Sequence, residues 1–214
     1  MLKNPRVSAA EWVPATRHLG ALRAAAPACR GCELYQNATQ VVFGEGPEDA
    51  KVVMIGEQPG DEEDQKGRPF VGPSGRLLSK AMRETELDRD QIYVTNAVKH
   101  FKFIERGKRR IHAKPSGIEI SACRPWLEAE MTVIEPEIVV CLGATAAQSL
   151  MGPAFRITKE RGNFFSHSWP KQLVATVHPS AILRVPERYE EEYELFVRDL
   201  RSVAAKLKEL SIAG

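Results

Sequence analysis

Apolar residues along this chain form two kinds of pattern, short unbroken runs and longer stretches at helical spacing, and the two alternate. Val52-Val53-Met54-Ile55 is an unbroken run stopped by Gly56, which predicts a strand buried on both faces of a parallel sheet. Ile92 to Val98 is β-branched and aromatic and predicts a second strand ending near Asn96. Glu137 to Leu142 predicts a third, and Leu173 to Val177 a fourth that delivers His178 at its end. Helices fall between them. Gly72-Pro73 places proline at a first helical position, with Leu77, Leu78, Ala81 and Met82 following at helical spacing. Ser116 and Glu119 make a capping-box pair ahead of a helix whose apolar face carries Ile120, Cys123, Leu127, Met131 and Ile134. Gly143-Ala144-Thr145 turns into a short helix through Leu150, and a long C-terminal helix buries Tyr193, Phe196, Val197, Leu200, Val203, Ala204 and Leu207. Leu19, Leu22 and Ala26 suggest an N-terminal helix ended by Pro27. Val41 to Pro47 reads as a strand or hairpin edge, and Ile157 to Phe165 as a hairpin or loop over the sheet. The alternation predicts one α/β domain over residues 1–214, with a central, mainly parallel, four-stranded sheet flanked by helices.

An open α/β sheet places its chemistry at the carboxyl ends of its strands. The loop after the first strand is rich in glycine and carboxylates and carries Glu57, Gln58, Asp61, Asp64 and Phe70. Asn96 ends the second strand, and His178-Pro179-Ser180 follows the fourth. After Asn96 comes a long basic insert, Lys99 to Pro115, with Lys108, Arg109, Arg110 and His112 near its end. Inserts of that length in compact domains are usually functional or disordered. Each of these residues alone has an ordinary explanation, Asn96 as a turn residue, Phe70 as a core aromatic, His112 as a solvated side chain. Their combination is what carries information.

Composition narrows the classes. A hydrophobic content of 43% and a charged content of 27% are ordinary for a soluble globular protein, and a net charge of +2 excludes wholesale polyanion binding, so any nucleic-acid site is local. The N-terminus lacks the apolar core of a signal peptide, and no run reaches the length of a membrane span, so a cytoplasmic location without membrane attachment is expected. In that compartment the four cysteines, Cys29, Cys32, Cys123 and Cys141, point to a metal rather than to disulfides. Cys29-Arg30-Gly31-Cys32 has the spacing for two thiolates to face one centre, and four thiolates suit a four-iron cluster or tetrahedral zinc alike.

The segments GEQPGDEEDQKGRPFVGPSGRLL, TNAVKHFKF, KRRIH and HPSAILR together resemble the uracil-DNA glycosylases. The likeness is to the iron-sulfur (family four) branch and, within it, the covalently trapping X-type enzymes (UdgX). The resemblance covers about Cys29 to Leu200, and its most specific parts are GEQPG at 56–60 and KRRIH at 108–112. It implies a [4Fe-4S] cluster held by the four cysteines in a structural role. It also implies a substrate of uracil-containing DNA, single strands included, and a monomeric enzyme.

The implied chemistry can be checked against the residue types. Uracil offers an acceptor at O4 beside a donor at N3–H, which a side-chain amide such as Asn96 can meet together, with Gln58 and Asp61 also expected near the base. Cytosine mismatches both atoms, leaving buried polar groups unpaired. Phe70 would stack on a base taken out of its strand. His178 would hydrogen-bond O2 and stabilise the departing uracil anion, while Glu57 faces the cationic sugar. Lys108, Arg109, Arg110 and Ser180 would hold the DNA backbone. In the X-type ending His112 attacks C1′ in place of water, with Glu57 orienting the imidazole through its other nitrogen and Gln58 helping to set the geometry. Two other readings compete with this one: a turnover glycosylase in which KRRIH is only a DNA clamp, and a non-catalytic single-strand binding module. The second has no use for the polar set Glu57, Asn96 and His178.

Overall fold

Successive residues of β1 (Val52–Gly56) send their side chains to opposite sides of the sheet, and each side has its own hydrophobic core. Val53 and Ile55 pack toward α1 (Leu19–Ala25) and α4 (Gly117–Ile134), while Val52 and Met54 pack toward α3 (Pro73–Glu84) and α8 (Tyr189–Ala213). The result is a three-layer α/β/α domain, seen in a computed structural model that describes residues 7–166 and 170–213. Unbroken apolar strands follow from it, because neither face meets water.

The sheet order is β2 (Ile92–Asn96), β1, β5 (Ile138–Leu142), β7 (Gln172–Thr176), β6 (Phe164–Ser166). The first four are mutually parallel. There are five strands where the apolar runs predicted four. Phe164–Ser166 adds an antiparallel edge beside β7, and α6 (Ile157–Glu160) fills the start of the same segment. A three-residue strand is too short to leave a periodic signature. Val41 to Pro47 forms no strand; it is joined to the sheet by a bridge from Glu45 to Val94.

The capping box forms as predicted, with the Ser116 hydroxyl accepting from the Glu119 N–H and the Glu119 carboxylate accepting from the Ser116 N–H. The basic insert folds into an antiparallel hairpin, β3 (Phe103–Arg106) and β4 (Arg109–His112), turning at Gly107, whose φ is 60°. Two short helices had no apolar signature. They are α2 (Asp61–Lys66), inside the loop after β1, and α7 (Pro179–Leu183), directly after His178. α5 (Ala144–Met151) follows β5 through Gly143. Ala204 and Leu207 of the C-terminal stripe are half-buried rather than enclosed. Among the described residues no helix is long and apolar enough to cross a membrane.

Candidate functional site

The chain moves from β1 outward to β2, then returns to lay β5 and β7 on the other side of β1. A crevice opens at such a reversal, outside the carboxyl ends of the strands. Here it is a cleft of about 690 Å³. Every parallel strand contributes to it: Glu57 and Gln58 after β1, Asn96 ending β2, Leu142 to Thr145 after β5, and His178 after β7. Phe70, Ser180 and His112 also line it, so seven of the predicted site residues, none of them a cysteine, converge on one space.

Asn96 is 3% exposed, and among the described residues its side-chain amide has no hydrogen-bond partner in the protein. It lies flat against β1, where Gly56 leaves room for it; a Cβ there would collide with Asn96 Oδ1 and stand 2.9 Å from the Phe70 ring. Phe70 itself is held at a φ of 56°, an uncommon backbone state for an aromatic residue. Its chain can turn this way because Gly75 has no side chain to meet the Phe70 carbonyl. The Phe70 and His178 rings face each other within 29° of parallel, centroids 6.3 Å apart.

His178 is a neutral ring with an assigned hydrogen-bonding direction. Burial, followed by the charge of Arg184, pushes its pKa down to about 4. The Ser180 backbone N–H donates to Nδ1 at 3.1 Å, so in the neutral ring the proton sits on Nε2. Arg184 donates to the Ser180 hydroxyl at 2.6 Å, and that hydroxyl lies 2.8 Å from Nδ1, which holds the ring in place. Nε2–H is left as a donor.

His112 sits at the end of β4 at the cleft mouth, its side chain 47% exposed. Its Nε2 lies 3.5 Å from Glu57 Oε1 and 2.9 Å from Gln58 Nε2. Glu57 therefore approaches the same nitrogen that faces Gln58, not the other one as expected from sequence. Burial lowers the His112 pKa, Glu57 opposes that shift and Arg184 adds to it, so the neutral ring is favoured. The role of Gln58 is now concrete. It donates to the carbonyls of Lys102 and Ala113 at 3.2 and 3.0 Å and accepts from the Lys102 N–H at 3.0 Å, joining both ends of the hairpin to the loop after β1.

Other predicted residues lie outside the cleft lining. Arg110 donates to Asp61 and Asp64 at 2.6 Å each and stacks over Phe103, which fastens the hairpin to α2. Asp64 is fully buried and also accepts from the Thr39 N–H. Asp61 and Arg110, expected at the base and at the phosphates, thus engage each other. Lys108 and Arg109 are exposed at the hairpin tip. Glu63 lines the cleft without having been singled out; it is buried and accepts from the Gly72 N–H at 2.8 Å. Its place among four acidic residues of α2 hides it in a sequence, because nothing there says which one turns inward.

The cysteines divide unequally. Cys29, Cys32 and Cys123 line one small cavity together with His100, Lys99 and Trp126. Cys141, expected as the fourth ligand, is not part of that lining. It is enclosed within β5, paired with Ile55 and Ala175, and burial alone pushes its thiol up to about 12. His100 stands in the position Cys141 was expected to fill: buried, with a pKa lowered to about 4 by that burial, it presents a neutral imidazole of the kind that ligates metals. Burial also pushes the Cys123 thiol up to about 12, a cost that a bound metal removes by holding the thiolate. Trp126 belongs to the same lining, and its buried indole N–H has no partner among the described residues. Among the described residues no three His, Cys, Asp or Glu side chains are close enough to hold a single ion, and a four-iron cluster spaces its ligands more widely. Three thiols and an imidazole around one cavity fit such a cluster.

The sequence matches the Uracil DNA glycosylase superfamily over residues 43–201, a span that includes the whole cleft lining. It is 37% identical to a type-4 uracil-DNA glycosylase of Thermotoga maritima over 181 residues, 84% of this chain and 90% of that protein. A type-4 enzyme of Archaeoglobus fulgidus is 34% identical over 83% of this chain and 89% of its own length. One from Sulfurisphaera tokodaii is 39% identical over 74% of this chain and 72% of its own. With this match spanning the cleft at the strand ends, the chain belongs to the uracil-DNA glycosylase superfamily.

Proposed function

We propose that the protein excises uracil from DNA, single strands included, and then remains bonded to the abasic sugar through His112. Asn96 reads N3–H and O4 of a uracil lying on Phe70. His178 donates through Nε2–H to O2, where charge collects as the C1′–N1 bond breaks and its electron pair leaves with the base. Glu57 faces the cationic sugar. The lone pair on the unprotonated ring nitrogen of neutral His112 then forms a bond to C1′, and the resulting imidazolium carries its charge beside Glu57. The observation that carries this ending is Nε2 of His112, held 3.5 Å from Glu57 at the cleft mouth by a hairpin tied down at both ends. Cys29, Cys32, Cys123 and His100 are the residues to hold a [4Fe-4S] cluster, which would brace the N-terminal segment against α4. A turnover reading, with water in place of His112, is favoured by the names of the type-4 relatives.

One gel separates the two. After reaction with an end-labelled single-stranded oligonucleotide containing one uracil, the denatured protein should carry the label. His112→Ser should lose the shifted band while still releasing uracil. A wild-type protein that gives no shifted band, yet leaves a strand that breaks in alkali, would establish the turnover reading.

A further inference from the structure

On α4 the buried stripe runs through Cys123, Leu127, Met131 and Ile134, and Glu130 sits on it, fully buried. Its partner is Lys99, 1% exposed, with Nζ 2.5 Å from Glu130 Oε2. A pair taken this far from water contributes little net stability compared with an apolar pair of the same shape, so its presence calls for another reason. The hydrogen bonds supply one. Lys99 Nζ donates to the Thr95 hydroxyl at 2.6 Å and to the Asn96 carbonyl at 2.8 Å. Glu130 accepts from the Tyr93 hydroxyl at 2.8 Å and the Gly44 N–H at 3.1 Å. β2 is an edge strand, so the ammonium takes the place of a sheet partner for the Asn96 carbonyl.

We propose that Lys99 and Glu130 are positioning residues that fix the Asn96 peptide and so aim its side-chain amide at the base. This rests on Asn96 reading uracil. The test is a mutant cycle on the single-turnover rate of uracil release, which does not depend on the covalent ending. Asn96→Ala should slow release about tenfold or more. The neutralised pair Lys99→Met with Glu130→Gln should slow it by a similar factor, with iron content per chain unchanged. Added to Asn96→Ala, it should cause no further loss, because it acts through that side chain. Losses that multiply would reduce the pair to general support and overturn the inference, as would full activity of the neutralised pair. If Asn96→Ala itself changes nothing, the recognition role fails first. Should the neutralised pair not fold, Glu130→Gln alone, which keeps the shape, carries the same cycle with a loss of about threefold.

Discussion

At His178 the two ring nitrogens have separate jobs: Nδ1 is occupied by the Ser180 N–H, and Nε2 is left to donate. A neutral ring does this, and a pKa of about 4 keeps it neutral across the physiological range. His112 also has a lowered pKa, but its more exposed ring shifts less. Protonation removes the lone pair of His112 as the pH falls through its lowered pKa, whereas His178 stays unprotonated until about 4. As the pH is lowered, the denaturation-resistant adduct should fail first and uracil release later. Gel and free-uracil assays on the same samples check this, and simultaneous loss would contradict the separate roles. Asn96 and His178 could be placed at the cleft because each ends or follows an apolar run, and Phe70 because it shares the loop after the first. His100 was not, since a lone histidine beside a lysine carries no spacing signal, and only the fold brings it to Cys29 and Cys123.

The β3–β4 hairpin depends on distant partners more than on its own residues. Gln58 joins its two ends, and Asp61 and Asp64 hold Arg110 on its inner face. Removing the amide by Gln58→Ala should let His112 drift. A displacement of about an ångström can cost about 100-fold in a reaction that needs contact geometry. Adduct formation should fall by that order while uracil release changes little, measured as two single-turnover rates on one substrate. The insert stood out by its length and charge. That Arg110 fastens the hairpin to α2 was not, because the partners lie 46 and 49 positions away. α2 was hidden for a related reason: Asp61-Glu62-Glu63-Asp64-Gln65-Lys66 has no apolar spacing to mark it.

For the molecule as a whole, four unbroken apolar runs and a capping box were enough to read the three-layer architecture, since a strand buried on both faces leaves no alternation to misread. The edge strand β6 and the choice of metal ligands depended on tertiary placement. Iron content tests that choice directly. His100→Ala should lower the iron bound per chain, and Cys141→Ser, inside the sheet, should retain it; the opposite pattern would restore the four-cysteine set. Lys99 links the cysteine cavity to the cleft, since Cys123 accepts from its N–H at 3.3 Å while its ammonium reaches the Asn96 carbonyl.

The hairpin leaves and rejoins the domain at one place: the Ala113 N–H donates to the Lys102 carbonyl at 3.0 Å, so the two ends of the insert are already neighbours. Residues 103–112 can therefore be excised or acquired as a cassette without moving a strand of the main sheet. Three of its receptors, Gln58, Asp61 and Asp64, come from one adjoining loop, and the Thr39 hydroxyl adds a fourth. The arm is in this sense a separable part, joined to the sheet at one point and held against one side of the cleft.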